Sequence, residues 1–333
     1  MREFAYDRAT RLEDALTLVA GEAGARYLGG GTNLVDLMKA GVEAPTRLVD
    51  VRRLPLQDVR ETVDGGLLIG AMVSNSDLAA HPEVRRRYPA LTQAVLAGAS
   101  GQLRNMATVG GNLLQRTRCA YFADPSERCN KREPGTGCAA FTGEHHNHAI
   151  LAWTPHCLAT NPSDMAVALR AFDAVVHYET LESAGQIPLS DFYLPVGETP
   201  HLETALPPGA LITAVRVPGS AVAPGSRYRK VRERASYAFA NVSIAAHLEV
   251  EDGLVRRVAI ALGGVASRPW RASTAEALLV EQPATAEGFR QAAEAELSAA
   301  DPLPANAYKV TLARNLIQTV LTELATVAGE RPT

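Results

Sequence analysis

The chain has 333 residues, of which 47% are hydrophobic and 21% are charged, and its formal net charge is -3. This length supports a large buried core and two or three domains, and it excludes a single small module. The near-neutral charge excludes a protein that coats nucleic acid. Because the amino terminus is charged and no apolar run approaches the roughly 20 residues that span a bilayer, we expect neither a secretory signal nor a membrane anchor.

The first 57 residues predict a strand, a glycine-rich turn, a helix and a second strand. Apolar spacing favours helices over 12–20 and 34–39, and strands over 26–28 and 47–51. The turn itself, residues 29–33, reads Gly-Gly-Gly-Thr-Asn. Glycines let a backbone approach a ligand closely, and the following helix amino terminus attracts an anion such as a phosphate. The turn matches neither G-x-G-x-x-G nor a P-loop, so a phosphate site and a purely structural turn both stay open.

A second part of the chain begins near residue 58 with shorter elements. We expect a strand over 67–71, a helix over 90–98, an apolar segment over 165–176 and a closing strand within 207–218. A second glycine passage, residues 107–112, reads Ala-Thr-Val-Gly-Gly-Asn. Two such loops could grip one dinucleotide, with its pyrophosphate and two long arms, better than either could alone.

A third part follows a predicted boundary near residue 221. Strands are expected over 242–250 and 255–262. The last helix is predicted from apolar residues at helical spacing, namely Val310, Ala313, Leu316, Ile317, Val320, Leu321, Leu324 and Val327.

All four cysteines lie in one segment without periodicity, between Gln115 and Cys157: they are Cys119, Cys129, Cys138 and Cys157. Without an export signal structural disulfides are disfavoured, and a shared metal centre is the favoured interpretation. A zinc site, two disulfides and unrelated thiols remain alternatives. Zinc ligands usually come in C-x2-4-C pairs, and no pair here is closer than Cys129 and Cys138, so the spacing modestly favours iron and sulfide.

Basic and histidine residues crowd the same segment. The cations could stabilise thiolates, or could form a solvated docking face. We expect the histidines to make hydrogen bonds, pack or lie on the surface, because four cysteines already complete a cluster. The cations are Arg116, Arg118, Arg128, Lys131 and Arg132, and the histidines are His145, His146, His148 and His156.

These motifs resemble a known family. Segments 28–39 and 107–112 look like the two FAD-pyrophosphate loops in flavoprotein subunits of xanthine dehydrogenase-like molybdenum hydroxylases, and the resemblance spans nearly the whole chain. More narrowly, the chain is similar to bacterial periplasmic aldehyde oxidoreductase flavin subunits, which carry an extra [4Fe-4S] cluster. The narrower resemblance rests on segments 101–108, 115–119, 129–132, 162–168 and 228–240.

The resemblance implies an α+β fold: a PCMH/vanillyl-alcohol-oxidase-type FAD-binding fold of two subdomains, followed by a C-terminal α+β domain of the CO dehydrogenase flavoprotein type. The expected divisions are 1–57 and 58–220 for the two FAD-binding subdomains, with an iron-sulfur insertion at 115–160, and 221–333 for the C-terminal domain.

The resemblance also implies residue roles. The expected FAD-binding residues are Arg26, Tyr27, Leu28, Gly29, Gly30, Gly31, Thr32, Asn33, Leu34, Thr108, Gly110, Gly111, Asn112, Arg118, Asp164 and Lys230. Lys230 is placed at the flavin end, although a surface lysine is the alternative, and a helix cap at Ser163 or Asp164 is the alternative for Asp164. The expected cluster ligands are Cys119, Cys129, Cys138 and Cys157. No catalytic acid, base or nucleophile is expected on this chain.

The expected function is electron transfer. Electrons leave an aldehyde at a molybdenum cofactor on a large subunit, pass [2Fe-2S] clusters on a small subunit, reach this FAD, and leave to an external acceptor such as ferredoxin, quinone, oxygen or a dye. Flavin subunits of hydroxybenzoyl-CoA reductase-like or xanthine dehydrogenase-like complexes are the competitor within the family. A self-sufficient flavin enzyme and a zinc-stabilised binding protein are rivals outside it. The compartment is the cytoplasm, or the periplasm by co-export with a partner.

Overall fold

The computed structural model describes residues 1–220 and 223–329, and these form three β-sheets that follow one another along the chain. Each sheet draws its strands from one successive stretch of sequence. The helices pack against these sheets and between them, which gives the mixed helix and strand content of an α+β protein. The expected fold class is confirmed. The predicted domain boundary near residue 221 falls outside the described residues.

The first sheet has three parallel strands in the order β1-β3-β2. Parallel neighbours need crossover connections, and the two helices α1 and α2 supply them. The predicted strand, turn, helix and strand unit is confirmed. The elements are β1 Ala5–Arg8, α1 Leu12–Ala20, β2 Ala25–Leu28, α2 Leu34–Lys39 and β3 Arg47–Asp50.

The second sheet has five strands in the order β4-β5-β8-β6-β7, and every pair in it is antiparallel. Its middle strand β8 comes late in the sequence and lies between β5 and β6, which closes this part of the chain. The strands are β4 Val59–Glu61, β5 Leu67–Gly70, β6 Val175–Glu179, β7 Ala184–Pro188 and β8 Leu211–Val217. The helices are α3 Asn75–Ala80, α4 Pro82–Arg87, α5 Pro89–Ala97, α6 Gly101–Met106, α7 Val109–Leu113, α8 Ala120–Ala123, α9 Asp164–Ala171 and α10 Leu189–Phe192.

Two predicted features of this part are changed by the structure. The second glycine passage is the start of helix α7, since Thr108 caps it by accepting a hydrogen bond from the Gly111 N–H at 3.2 Å. The apolar segment 165–176 is divided between α9 and β6, and Asp173, at φ 51°, lies in the turn between them. A continuous run of apolar residues gives no sign of such a turn in the sequence.

The cysteine segment is mostly irregular backbone, as its lack of periodicity predicted. Apart from α8 it contains one 3-10 turn, Ala139–Phe141, and isolated bridges that join Cys129 to Cys138 and Thr154 to Cys157. Its order therefore comes from side chains and turns rather than from a ladder of strands.

The third sheet has four antiparallel strands in the order β12-β11-β10-β9. The last helix packs along β10, and Ala313, Leu316, Ile317, Val320, Leu321 and Leu324 are buried as predicted. Val310 is only partly buried, and Val327 is exposed, because the end of the helix runs beyond the core. The elements are β9 Arg227–Val231, β10 Val242–Glu251, β11 Leu254–Gly263, β12 Trp270–Arg271, α11 Ser273–Leu279, α12 Ala286–Leu297 and α13 Tyr308–Gly329.

Among the helices of residues 1–220 and 223–329, none combines the length and apolar character needed to cross a membrane.

Candidate functional site

A cavity of about 660 Å³ lies where the three parts of the chain meet. This volume is within the range of small-molecule and cofactor sites. Seven of the residues predicted to bind FAD line it, and they come from all three parts: Thr32, Asn33, Gly111, Asn112, Arg118, Asp164 and Lys230.

The two glycine loops meet beside this cavity. A side chain at Gly30 would overlap the Met106 carbonyl oxygen, and one at Gly29 would come within 3.0 Å of the Thr108 hydroxyl. Gly31 adopts φ +73°, a left-handed conformation that favours glycine. Glycine is therefore needed here for contact between the two loops.

The remaining predicted FAD residues do not form the cavity wall. Tyr27 donates its hydroxyl to the Gly209 carbonyl, Arg26 donates to the carbonyls of Ala23 and Ala25, and Gly110 packs against Ala71. These contacts lie within the protein, and the contact of these residues with FAD stays a prediction. The residues outside the wall are Arg26, Tyr27, Leu28, Gly29, Gly30, Gly31, Leu34, Thr108 and Gly110.

Asn33 has one amide atom that the protein leaves without a partner. Its Oδ1 accepts the Arg116 backbone N–H at 2.8 Å, which fixes the orientation of the side chain. Its Nδ2 is buried and has no hydrogen-bond partner among the described residues. A buried donor without a partner is costly, so a ligand acceptor such as a phosphate oxygen fits this position.

Asp164 and Lys230 lie on another wall of the cavity, and they form a buried network with Tyr228. Lys230 Nζ lies 2.8 Å from Asp164 Oδ2, and Tyr228 donates its hydroxyl to Asp164 Oδ1 at 2.5 Å. The Lys230 side chain is only 3% exposed, which excludes the surface-lysine alternative. Ser163 caps α9 by accepting the Ala166 N–H, so the helix-cap alternative holds for Ser163 and leaves Asp164 free for this network.

Arg118 supplies a second positive group to the cavity. Its guanidinium lies over the Phe239 ring at 5.1 Å from the centroid, and it donates no hydrogen bond to any residue in the described ranges. Five N–H donors are thus available for an anionic ligand.

Many residues of the cavity wall were not predicted from the sequence, among them Asn75 and His148. Asn75 contributes a buried Oδ1 that lacks a partner within the described chain, and His148 lies in the wall beside Cys119. The hydrogen bond from Tyr228 to Asp164 was not predicted either. Asn75 follows the Ser74 cap of a helix, and this cap is a signal in the local sequence. The position of Asn75 in the cavity depends instead on packing between distant segments.

The four cysteines all line one second, narrow cavity of about 10 Å³. All are free thiols, which excludes the disulfide alternative for this structure. Within residues 1–220 and 223–329, no three Cys, His, Asp or Glu side chains are placed to hold a single metal ion. Desolvation raises the pKa of Cys119 to about 12 and that of Cys157 to about 11, so a metal would have to displace their protons.

The basic residues of the cysteine segment mostly have other partners. Arg116 forms ion pairs with Glu43 and Glu203, and Lys131 lies 2.7 Å from Glu203. Arg132 donates to the carbonyls of Tyr121 and Phe122. Lys131 also lines the cysteine cavity, where its charge partly offsets the desolvation that raises the pKa of Cys157. The interpretation that these cations stabilise the thiolates stays a prediction.

Comparison with known proteins identifies the family. Residues 2–220 match the FAD binding domain in molybdopterin dehydrogenase, and residues 226–324 match the CO dehydrogenase flavoprotein C-terminal domain. The chain is 49% identical over 326 residues to the aldehyde oxidoreductase FAD-binding subunit of Escherichia coli strain K12, covering 97% of this chain and 98% of that one.

More distant relatives agree in length and fold. The chain is 26% identical over 325 residues to the 6-hydroxypseudooxynicotine dehydrogenase complex subunit alpha of Paenarthrobacter nicotinovorans, covering 96% of this chain and 93% of the relative. A chain of the solved carbon monoxide dehydrogenase of Hydrogenophaga pseudoflava superimposes with a TM-score of 0.77 at 24% identity, covering 98% of both chains.

The chain therefore belongs to the FAD-binding medium subunits of the xanthine dehydrogenase and carbon monoxide dehydrogenase family. It is a flavoprotein subunit of an oxidoreductase, and the family resemblance seen in the sequence is confirmed.

Proposed function

We propose that this chain is the FAD- and [4Fe-4S]-containing electron-transfer subunit of a molybdenum-dependent aldehyde oxidoreductase. The observation that carries this proposal is the adjacency of two cavities, one of about 660 Å³ lined by residues of both glycine loops and one lined by every cysteine of the chain. The aldehyde assignment rests on the 49% identity to the Escherichia coli subunit. In the proposed reaction an aldehyde and water give a carboxylate, protons and two electrons at a molybdenum cofactor on a large subunit.

FAD, when bound, would supply exchange between two-electron and one-electron chemistry. The protein side of this site has three tasks. Asn33 and the glycine loops would bind the pyrophosphate, Arg118 would neutralise part of its charge, and Lys230, held by Asp164, would place a cation near the flavin ring. Hydroxybenzoyl-CoA reductase-like or xanthine dehydrogenase-like complexes remain the alternative for the substrate.

The [4Fe-4S] cluster would supply a one-electron port. Four free thiols around one enclosed cavity are the donor set that such a cluster uses. Zinc is the rival metal for four thiolates, and metal analysis decides between the two. The family description and the relatives reported above name FAD alone, so the cluster rests on the cysteines.

The proposal includes partners and divisions. A [2Fe-2S] small subunit would deliver electrons from the large subunit, and an external acceptor such as ferredoxin, quinone, oxygen or a dye would remove them. We also propose the domain divisions 1–57, 58–220 and 221–333, with the iron-sulfur insertion at 115–160. The three successive sheets support them.

The test is anaerobic purification of the chain with its partners, followed by flavin, iron, sulfide and zinc analysis after separation of the subunits. We expect one FAD and about four irons on this chain. Zinc in place of iron would contradict the cluster.

Replacement of one cysteine tests the proposed cluster ligands. Cys129→Ser should abolish the cluster signal while the FAD absorbance persists. Thr142→Ala, an exposed change in the same segment that lines neither cavity, should keep both. If Cys129→Ser keeps a full complement of iron, the ligand set is wrong.

A further inference from the structure

A thin wall separates the flavin cavity from the cysteine cavity. Three residues line both cavities: Thr117, Cys119 and His148. Cys119 is the one cysteine of the chain that faces both. Among the four cysteines, Cys119 therefore lies nearest to the flavin cavity.

His148 is fixed against this cysteine. Its Nε2 lies 3.2 Å from Cys119 Sγ, and its side chain is buried, with the residue 8% exposed. Its backbone carbonyl accepts hydrogen bonds from Lys309 Nζ at 3.0 Å and from Asn306 Nδ2 at 3.3 Å. Two residues of the C-terminal part of the chain thus fix the backbone position of this histidine.

The direction of the hydrogen bond follows from chemistry. The other ring nitrogen, Nδ1, is buried without a partner in the described part of the chain, so the thiol sulfur is the polar partner of the ring. A cysteine that ligates iron has lost its proton and can only accept. The contact at 3.2 Å then requires a hydrogen on His148 Nε2.

We propose that His148 is a positioning residue that donates its Nε2–H to the sulfur of Cys119, and that Cys119 is the thiolate through which cluster and flavin exchange electrons. This inference rests on the proposed cluster. A hydrogen bond to a ligand sulfur stabilises the more negative, reduced cluster, so it raises the reduction potential. His148 thereby favours the arrival of an electron from the flavin.

The test compares His148→Leu, which lacks an N–H donor, with His148→Gln, which keeps one. The control is His201→Leu, because His201 is an exposed histidine that lines neither of these two cavities. All variants are prepared as full chains with their partners. Redox titration followed by electron paramagnetic resonance should show a lower cluster potential for the leucine variant, recovery in the glutamine variant, and no change in the control. The flavin potential should stay constant.

A second measurement does not depend on how the leucine variant folds. In protein carrying 15N-histidine, the reduced cluster should show a weak nitrogen coupling, which His148→Gln removes. Absence of that coupling in the unmodified protein, or an unchanged cluster potential in His148→Leu with full iron, would overturn the inference. A strong coupling, or loss of iron on replacing His148, would make it an iron ligand and overturn the hydrogen-bond role. Absence of iron in the unmodified protein would instead refute the proposed cluster.

Discussion

Lys230 and Asp164 form an ion pair of 2.8 Å in which both side chains are nearly removed from solvent, at 3% and 9% exposure. Removing one member of such a pair leaves an uncompensated buried charge. We expect Lys230→Met to lower the free energy of unfolding by about 3 kcal/mol. The double variant Lys230→Met/Asp164→Asn should recover most of that loss, as measured by urea denaturation. Equal loss in the single and double variants would show that the two groups are not coupled.

Contact between the glycine loops predicts the effect of Gly30→Ala. The new methyl group would overlap the Met106 carbonyl oxygen, a backbone atom that cannot move alone. The two loops must separate, and we expect the purified chain to lose most of its FAD. Gly101→Ala is the matched control, since a Cβ there meets nothing within 4 Å. The ratio of flavin to protein in each purified variant measures the effect. Retention of FAD in Gly30→Ala would mean that the two loops do not bind FAD together.

The free amide donor of Asn33 predicts the effect of Asn33→Asp. The aspartate keeps the acceptor for the Arg116 N–H but replaces the buried, unpartnered donor of this cavity residue with a negative oxygen. Loss of a hydrogen bond to a charged group weakens FAD binding by roughly one to two orders of magnitude. Asn105→Asp makes the same change in charge on an exposed residue outside the cavity and should bind FAD normally. Flavin fluorescence titration of both deflavinated variants measures the difference, and equal weakening would contradict a specific role for Asn33.

The local elements were predictable because their signals lie within a few residues of each other. The helix over 34–39 follows a glycine run and carries apolar residues on one face, and its limits in the structure are Leu34 and Lys39. The cysteine cavity was predictable for a different reason. Four cysteines without periodic neighbours have few alternatives to a common site, and the structure does bring them to one cavity.

The contacts that shape the flavin cavity were not predictable, because they join residues far apart in sequence. Asp164 meets Lys230 across 66 positions, and the cavity residue Asn33 meets the Arg116 N–H across 83. Sequence periodicity carries no information about such pairs. The cap at Thr108 is an exception, since a threonine before a short apolar helix is a local signal that indicates a helix start.

The buried amine of Lys309 predicts how the stability of the protein depends on pH. It is fully buried, and its Nζ donates to the carbonyls of His148 and Gly264. Desolvation lowers the pKa of this amine to about 7 from its usual 10.5. A neutral amine still has two hydrogens, so it can satisfy both carbonyls without the cost of a buried charge.

The sign follows from proton binding in the two states. Between pH 7 and 10.5 the unfolded chain binds a proton at Lys309 that the folded chain has lost, so stability rises with pH over this window. The destabilising effect of the charge is complete below pH 7 and is relieved as the pH approaches 10.5. Lys309→Met lacks the titrating group. Between pH 7 and pH 10, the free energy of unfolding of the unmodified protein should therefore rise relative to that of the variant. Urea denaturation at several pH values measures this, and a difference that stays constant would show that Lys309 remains charged in the folded protein.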